Sequence, residues 1–344
     1  MTIRLPAEWE EQDGVLIAWP HPDSDWQPWL RLVEPVFAQI VREITRFETA
    51  LVAAADGERT AALLEAVGAR MERVAIVELP TNDTWARDFG PVTVERDGRP
   101  VLLDFGFNGW GLKFAADRDN LVTRRLRHLG IFGDIPAEMV GLVLEGGSIE
   151  SDGRGTVLTT AECLLNPNRN PHLSRAEIEE ALARYLGTER VLWLENGFLA
   201  GDDTDSHVDT LARLAPDDTI VYVRCDDATD EHYAALFLME KELANLCTRE
   251  GSPYRLIPLP WPRACFDHEG QRLPATYANF LVINGAVLVP VYDDPADEAA
   301  LEAIGRAFPG REIVGIDCRP LIIQHGSLHC VTMQLPKGVL PCPN

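Results

Sequence analysis

Residues 148–194 read SIESDGRGTVLTTAECLLNPNRNPHLSRAEIEEALARYLGTERVLWL, and this stretch contains one complete structural unit. Two β-rich runs flank Asp152-Gly153, a dipeptide typical of tight hairpin turns because both residues tolerate a positive φ. Farther along, Ser174 and Glu177 have the spacing of a capping box, which predicts the start of a helix. The stretch therefore predicts a hairpin, a helix and a further strand, at Ser148–Ser151, Thr156–Thr160, Ser174–Leu186 and Arg190–Leu194.

The same order of elements recurs three more times along the chain. The hairpin turns of these units are predicted at Asp97-Gly98, Pro216-Asp217-Asp218 and Asn284-Gly285, each between β-rich runs. The predicted elements are Val92–Glu95, Pro100–Phe105, Asp117–Leu129 and Met139–Leu144; then Val208–Leu214, Thr219–Arg224, Thr229–Cys247 and Tyr254–Leu259; and finally Tyr277–Ile283, Ala286–Val291, Asp294–Phe308 and Glu312–Ile316.

A fifth unit requires segments near both ends of the sequence. A strand at Ser327–Leu335 is expected to pair with Asp13–Trp19, followed by a helix at Trp29–Phe47 and a strand at Thr49–Ala54. Such pairing covers two sheet edges that a repeat fold would otherwise expose. The sequence thus predicts one α/β domain over residues 1–344, built from five ββαβ units that close on themselves. An open α/β sheet is the alternative.

The composition restricts the partners of the chain. Its 344 residues carry a net charge of −23, and 46% of them are apolar. The apolar fraction is ample for a packed core, whereas the charge disfavours nucleic acids and anionic membranes and favours small cations; an acidity that serves only solubility or salt tolerance is the alternative. No segment has the pattern of a signal peptide or a membrane span. Seven scattered cysteines without a CxxC motif, Cys342 among them, predict a reducing, cytoplasmic location and no structural zinc site.

Four chemically reactive residues occupy equivalent places in the predicted units. Asp88 precedes the first hairpin, Glu145 precedes the second, His207 opens the third, and Cys330 lies in the closing strand. Successive members are roughly 60 residues apart, or two such intervals for Cys330, which matches the length of a repeated unit. Equivalent ends of repeated units face a common axis, so we expect these side chains to form one site.

A nucleophile and an acid–base group are predicted within this set. Cys330 needs a nearby cation to become a thiolate, the reactive form; a buried structural cysteine is the alternative. His207 and Asp209, two residues apart on a predicted strand, are expected to face the same side. An imidazole that titrates near neutral pH can both donate and accept a proton. His329, adjacent to Cys330, is expected to face away from the site in a structural or supporting role.

The carboxylates of the set are complementary to a cation. Asp88 follows Trp85 in an aromatic segment that predicts a partly buried loop, with a surface ion pair as the alternative. Glu145 precedes Gly146-Gly147, which allows close backbone approach, and is expected to orient His207 as acids do in hydrolase triads; a surface turn is the alternative. A thiolate, an imidazole and several carboxylates together favour attack on a cationic carbon such as that of a guanidinium.

These residues and several longer motifs resemble the agmatine deiminases and the bacterial peptidylarginine deiminase family around them. The resemblance spans nearly the whole chain, and the motifs occur in the family order. They are LPAEWE (5–10), AWPH (18–21), NDTWARDFGP (82–91), LEGGS (144–148), LLNPNRNP (164–171), DDTDSHVD (202–209), Asn279-Phe280 and the segment around Cys330.

The resemblance implies a five-bladed, pseudo-symmetric α/β propeller and hydrolysis of a cationic guanidino compound without metal or cofactor. The implied reaction converts agmatine to N-carbamoylputrescine and ammonia through a covalent thiouronium intermediate, a step toward putrescine in polyamine biosynthesis. The implied site consists of Cys330 as nucleophile, His207 as general acid and base, Asp88 and Asp209 as guanidinium ligands, Glu145 as support for His207, Trp85 lining the channel and Asp203 meeting a distal amine.

The segment before the nucleophile departs from the family pattern. Agmatine deiminases commonly carry Gly-Gly-Gly-Asn-Ile-His-Cys, whereas residues 324–330 read QHGSLHC, with Gln324, His325 and Ser327 in place of pattern residues. We expect the chemistry to survive because His329 and Cys330 remain, but the substrate is less fixed. The alternatives are a deiminase of free or peptidyl arginine, which requires a cationic group at the pocket mouth, an amidinotransferase, and a non-catalytic binding protein.

Two further properties stay open in the sequence. The oligomeric state is not fixed, and a homo-oligomer is compatible with the chain. Asn108–Lys113, which contains two glycines, is a candidate lid over the site.

Overall fold

The computed structural model describes residues 2–341; Met1 and residues 342–344, Cys342 among them, lie outside the described part. Within it, short strands form six small sheets accompanied by helices, which makes the fold a mixed α/β one. The strands are β1 (Ile3–Arg4), β2 (Gln12–Ala18), β3 (Thr49–Ala54), β4 (Val74–Glu78), β5 (Val92–Arg96), β6 (Arg99–Gly106), β7 (Ala137–Val143), β8 (Ile149–Ser151), β9 (Thr156–Thr160), β10 (Arg190–Leu194), β11 (Ala212–Ala215), β12 (Thr219–Val223), β13 (Arg255–Leu259), β14 (Cys265–Phe266), β15 (Arg272–Leu273), β16 (Leu281–Val282), β17 (Ala286–Val291), β18 (Glu312–Asp317) and β19 (Thr332–Pro336).

The helices connect and cover these sheets. The α-helical segments are α1 (Leu30–Ile44), α2 (Gly57–Ala66), α3 (Ala86–Phe89), α4 (Gly109–Leu112), α5 (Val122–His128), α6 (Ala161–Leu164), α7 (Arg175–Leu186), α8 (Tyr233–Asn245), α9 (Asp297–Ala307) and α10 (Arg319–Ile322). Single 3-10 turns occur at Gln27–Trp29, Met71–Arg73, Asp119–Leu121, Gly146–Ser148 and Val208–Thr210. No helix among the described residues is long and apolar enough to cross a membrane.

The unit at residues 148–194 has the predicted order of elements, but of Asp152 and Gly153 only Gly153 takes a positive φ, so the predicted two-residue turn does not form. Strand β8 pairs antiparallel with β9, and β10 pairs parallel with β9 on its other side. At the start of α7, the Ser174 side chain accepts a hydrogen bond from the Glu177 backbone, and Glu177 accepts one from the Ser174 backbone, so the predicted capping box is confirmed. The apolar face of α7 is buried at Ile178, Leu182 and Leu186.

All the other sheets except the antiparallel pair β14–β15 repeat this arrangement of an antiparallel pair followed by a parallel strand. It occurs in β5–β6–β7, β11–β12–β13 and β16–β17–β18. In the last sheet β19 pairs antiparallel with β2, with Thr332 opposite Ile17, and β3 and β4 continue in parallel. Segments more than 300 residues apart in sequence therefore share one sheet.

The prediction for the turn at Asn284-Gly285 is wrong in its mechanism. Asp97 and Gly98 do take the positive φ values of 49° and 75° that a tight hairpin turn requires, but Asn284 and Gly285 do not. The Asn284 side chain instead exchanges two hydrogen bonds with the backbone of Gln12, at 2.9 and 2.8 Å. A long-range contact therefore replaces local turn geometry at this position.

Three predicted strand ranges are also too long: Val208–Leu214, Ser327–Leu335 and Tyr277–Ile283, of which only Leu281–Val282 forms a strand. Residues 208–210 form a 3-10 turn, so the strand alternation expected for His207 and Asp209 does not exist, and β11 begins only at Ala212. The closing strand begins at Thr332, which leaves Cys330 in the preceding turn. In both turns backbone groups bond outside any sheet: the Cys330 carbonyl, for example, accepts from Arg87 N at 3.1 Å.

Candidate active site

The predicted nucleophile is held by an asparagine from the neighbouring unit. The Asn279 Oδ1 atom accepts hydrogen bonds from the backbone nitrogens of His329 and Cys330, at 2.9 and 3.3 Å, and from Cys330 Sγ at 3.4 Å. Burial raises the pKa of the Cys330 thiol well above its ordinary value, and the negative charges of Asp209 and Asp88 add to this rise. At neutral pH and without a cation beside it, this cysteine is a thiol.

Asp88 lies on the short helix α3 and is almost fully buried. Its Oδ1 atom accepts from the backbone of Gly147 at 3.1 Å, and its Oδ2 atom accepts from the indole nitrogen of Trp110 at 2.9 Å. Burial raises the pKa of Asp88 well above its ordinary value, and the charges of Asp209 and Glu145 raise it further. The carboxyl group therefore retains a proton to a higher pH than an exposed aspartate does.

Gly147 is the point at which three predicted site residues meet. A Cβ atom added there would lie 2.6 Å from His207 Nδ1 and 3.0 Å from both Asp209 Oδ2 and Asp88 Oδ1. These separations are too short for a side chain, so the close approach of the three groups depends on a glycine. The close backbone approach that the sequence predicts at Gly146-Gly147 is therefore observed at Gly147.

His207 is fully buried, and neither ring nitrogen has a hydrogen-bond partner among the described residues. Its Nδ1 atom lies 3.7 Å from Asp88 Oδ1. Burial lowers the pKa of His207 to about 3, and the opposing charge of Asp209 does not offset this effect. The imidazole is therefore neutral at pH 7 and has both nitrogens available for proton exchange.

Asp209 is fully buried, and its two carboxylate oxygens differ in their hydrogen bonding. Its Oδ2 atom lies 2.7 Å from His329 Nδ1, whereas Oδ1 has no hydrogen-bond partner among the described residues. Burial acts to raise the pKa of Asp209, but the hydrogen bond and positive charge of His329 outweigh it and leave the pKa below its ordinary value. Asp209 is thus the ionised carboxylate at this point of the site.

Glu145 is bonded to an arginine that the sequence analysis did not assign to the site. Both of its carboxylate oxygens lie 3.0 Å from Arg169 Nε. Arg169 also donates hydrogen bonds to the Asp205 side chain and to the Thr204 carbonyl. No hydrogen bond joins Glu145 to His207 in the described structure, so the expected orienting contact between them is not observed. Arg169 belongs to the motif LLNPNRNP, whose arginine was the available signal.

A cavity of about 150 Å³ opens above Cys330. Trp85 and Asp203, to which the resemblance assigns the channel and a distal amine, line it together with Gln324 and His325 from the unusual segment. The other lining residues are Asp25, Asp83, Asp88, Trp110, Phe114, Thr204 and Gly326. No lysine or arginine lines this cavity within the part of the chain that the structure describes.

Glu145, Cys163 and His207 form the group best suited to hold a metal near the site. One ligand atom from each lies within 4.8 Å of the others, and all three are buried. Arg169 already brings a positive charge against Glu145, which opposes a cation there. The catalytic roles of the predicted site residues stay predictions.

The sequence analysis missed two further residues that contact the site. Trp110 belongs to the segment considered as a lid, yet it contributes a hydrogen bond directly to Asp88. Asn279 was part of a family motif, but nothing local indicated that its amide would hold the Cys330 turn. Both contacts are long-range, so local sequence patterns could not have revealed them.

Comparison with known proteins identifies close relatives over nearly the full chain. The family described as Porphyromonas-type peptidyl-arginine deiminase matches residues 4–336. Agmatine deiminase of Pseudomonas aeruginosa (strain LESB58) is 36% identical, covering 97% of this chain and 95% of its own.

Solved structures agree with this match. A C. jejuni agmatine deiminase with a cysteine-to-serine replacement and bound substrate is 38% identical, with a TM-score of 0.91 over 98% of this chain and 97% of its own. A Porphyromonas gingivalis protein, named provisionally as an arginine deiminase, is 52% identical, with a TM-score of 0.94 over 98% and 100% of the two chains. The present chain therefore belongs to the Porphyromonas-type peptidyl-arginine deiminase family, whose members are enzymes acting on guanidino C–N bonds.

Proposed function

We propose that this chain hydrolyses agmatine to N-carbamoylputrescine and ammonia. The observation that carries the proposal is the charge of the cavity above Cys330, which is lined by the carboxylates of Asp25, Asp83, Asp88 and Asp203 and by no lysine or arginine of the described residues. Agmatine carries a guanidinium at one end and an amine at the other, so acids suit both ends. The carboxylate of free arginine would instead require a cation at the mouth.

The guanidinium is proposed to lie between Asp88 and Asp209. The unpartnered Oδ1 atom of Asp209 supports this position, because a buried carboxylate oxygen requires a donor and guanidinium nitrogens supply several. Clamping the planar cation in this way presents its central carbon to Cys330 Sγ. Asp203, at the wall of the cavity, is the proposed partner of the distal amine.

The first half of the reaction replaces a C–N bond by a C–S bond. Cys330 Sγ forms a bond to the central carbon as its proton passes to His207, and the bound cation favours this ionisation. His207 then gives the proton to one amino group, which leaves as ammonia when its bond to carbon breaks. A thiouronium cation bonded to Cys330 remains.

The second half consumes water. His207 takes a proton from water as the oxygen attacks the thiouronium carbon. The C–S bond then breaks with return of the electron pair to sulfur, the remaining hydroxyl proton passes to solvent as the C=O bond forms, and His207 returns its proton to Cys330. The ureido product forms, and Cys330 is ready for another cycle. The contact between Glu145 and Arg169 supports an indirect role for Glu145, in which its charge is held close to His207.

We further propose that the chain is one domain and a five-bladed α/β propeller. Four sheets with an antiparallel pair and a parallel strand, and a fifth that joins β19 to β2, supply the five ββαβ units. The convergence of groups from several units at Gly147 supports a common axis. A cytoplasmic location and a homo-oligomeric state remain predictions from the sequence.

Deimination of arginine is the second candidate. Two observations favour it: the P. gingivalis relative named provisionally as an arginine deiminase, and His325 at the cavity wall, the one basic side chain there among the described residues. His325 Nδ1 lies 2.8 Å from the Gly201 carbonyl, so this side chain is already fixed by a neighbouring loop.

Ammonia release from agmatine, free arginine and a blocked arginyl peptide, measured side by side, tests the proposal. Release mainly from agmatine is expected, and Cys330→Ala is expected to abolish it while agmatine still binds. Release mainly from arginine or the peptide would keep the mechanism and overturn the substrate. Transfer to an added amine such as ornithine instead of water would identify an amidinotransferase.

A further inference from the structure

A chain of three buried side chains extends from Asp209 to the segment before β2. Asp209 Oδ2 lies 2.7 Å from His329 Nδ1, and His329 Nε2 lies 2.7 Å from Glu8 Oε2. All three residues are at most 8% exposed. Ionised carboxylates can only accept hydrogen bonds, so both contacts are satisfied when both ring nitrogens carry a proton and the ring is a cation.

We propose that His329 and Glu8 are positioning residues: Glu8 keeps His329 cationic, and His329 turns Asp209 so that its Oδ1 atom faces the guanidinium. The inference rests on the proposed function and extends it to two residues that do not line the cavity. It also gives a role to His329, which directly precedes Cys330 in sequence and contacts Glu8.

The contrast between the two guanidinium-binding carboxylates supports a role for the cation. Asp88 and Asp209 are both buried in the same site, yet the pKa of Asp88 is raised and that of Asp209 is lowered. Burial acts in the same direction on both, and His329 is the main counteracting group at Asp209. A neutral residue at position 329 would therefore let burial raise the pKa of Asp209, as it raises that of Asp88.

Glu8 is fixed from three sides. Its Oε1 atom accepts from Val282 N at 2.8 Å, and its Oε2 atom accepts from Arg213 Nη2 at 3.0 Å, with Arg87 Nη2 at 3.7 Å. Arg213 Nη2 also lies 3.0 Å from His329 Nε2. Because arginine can only donate, it would favour a neutral ring with an unprotonated Nε2, and the negative charge of Glu8 is what favours the cation.

The charged residues around Glu8, His329 and Asp209 fall into two groups. Near Glu8 and His329 lie Arg87, Arg213 and Glu150, and Arg213 is paired with Glu150 through its Nε atom. On the side of the cavity, His207, Asp88 and Cys330 face Asp209. When the positive charge of His329 is removed, the repulsion between the carboxylates of Asp209 and Asp88 is no longer offset. The affinity of Asp209 for a proton therefore rises.

Two variants separate charge from shape. Glu8→Gln keeps the size of the side chain and removes its charge, and in His329→Asn the amide nitrogen takes the place of Nδ1 without a charge. For both we expect the acid limb of the pH profile of kcat/KM for agmatine to move to higher pH, because Asp209 must be ionised to bind the guanidinium. At pH 7 the loss should be on the order of 100-fold, the size expected for a misplaced binding group, with recovery toward pH 9.

Glu43→Gln is the matched control. Glu43 is a buried glutamate on α1 that pairs with Arg42 and Arg46 and does not line the cavity, so its replacement should leave the pH profile unchanged. A profile that stays unchanged in Glu8→Gln and His329→Asn, or a loss equal at every pH, would overturn the inference. Should Glu8→Gln fail to fold, as judged by circular dichroism and its urea midpoint, His329→Asn carries the same test.

Calorimetric binding of agmatine to Cys330→Ser, alone and combined with His329→Asn, distinguishes failure of this inference from failure of the proposed function. Binding whose pH dependence is shifted by His329→Asn is the expected result. Binding with the same pH dependence in both chains would overturn the positioning role alone. No binding of agmatine to Cys330→Ser at any pH would overturn the proposed function and the inference that rests on it.

Discussion

At the scale of single residues, the site depends on how closely unlike groups are packed. His207, Asp209 and Asp88 approach one point, where the chain has Gly147. An imidazole and two carboxyl groups crowded away from water take pKa values far from ordinary ones, and each shift has a different balance of causes. The chemistry proposed for the chain uses these differences.

Gly147→Ala should lower kcat/KM for agmatine about 100-fold. The added methyl group would lie within 3.0 Å of His207, Asp209 and Asp88, so at least one of them must move, and a displacement of about 1 Å costs about 100-fold in rate. Gly141→Ala is the control, because a Cβ there meets no atom within 4 Å. The measurement is kcat/KM for agmatine; equal values for the two variants would contradict the convergence described here.

Agmatine binding should release a proton, and its affinity should rise with pH. The raised pKa of Asp88 means that this carboxyl is protonated over a wider range before substrate binds, whereas the guanidinium pairs with the ionised form. As pH rises through this pKa, less work is needed to remove the proton, so Kd falls. Calorimetry on Cys330→Ser in two buffers of different ionisation enthalpy measures the proton; heats that do not depend on the buffer would contradict the prediction.

At the scale of elements, the hairpins and helices were predictable because their signals are local. The Asp97-Gly98 turn takes the backbone conformation that its residues favour, and the Ser174–Glu177 box begins α7 as expected. The turns that carry Cys330 and His207 were not predictable in this way. Their backbone groups bond to residues that are distant in sequence, such as Asn279, and no short pattern encodes such contacts.

The segment Gly109–Leu112 is an element under conformational constraint. All four of its residues have positive φ, including Trp110 and Leu112, which pay a steric cost there that glycines avoid. The Trp110 ring reaches Asp88, and Lys113 at the end of the segment bonds to Asp205 at 2.8 Å. The sequence suggested a lid here from its glycines; the structure adds the contact with the site.

Gly111→Ala should lower kcat/KM for agmatine by more than Gly130→Ala does. The position has φ of +86°, and a Cβ there would lie 2.2 Å from the Asn168 side chain, so the segment that holds Trp110 must shift. Gly130→Ala provides the comparison, since φ is +77° but nothing lies within 4 Å. Both should lose about 1 kcal/mol of unfolding free energy from the backbone alone. Equal catalytic effects in the two variants would exclude a role for this segment in seating Asp88.

At the scale of the whole molecule, the acidity of the chain acts on its proposed substrate before contact. A net charge of −23 attracts a dication over distances set by the ionic strength, about 30 Å at 0.01 M and 8 Å at 0.15 M. The acids that line the cavity continue this attraction to the site.

The rate constant kcat/KM for agmatine should therefore fall as salt is added. Alkylation of Cys330 by neutral iodoacetamide provides the control and should change little, whereas alkylation by the cationic 2-chloroacetamidine should slow with salt as agmatine turnover does. A salt effect of equal size on both reagents would indicate a change in the protein rather than screening of its field.

The pairing of β19 with β2 has a consequence for the order of synthesis. Ribosomes complete Asp88, Glu145, His207 and Asp209 well before they reach Cys330, at roughly 5–20 residues per second. Strand β2 can pair early with β3, but its other edge must wait for Thr332–Pro336, which begin two residues after Cys330. The predicted nucleophile thus enters the molecule together with the strand that completes the sheet, and a shorter nascent chain holds the carboxylates and the imidazole without this thiol.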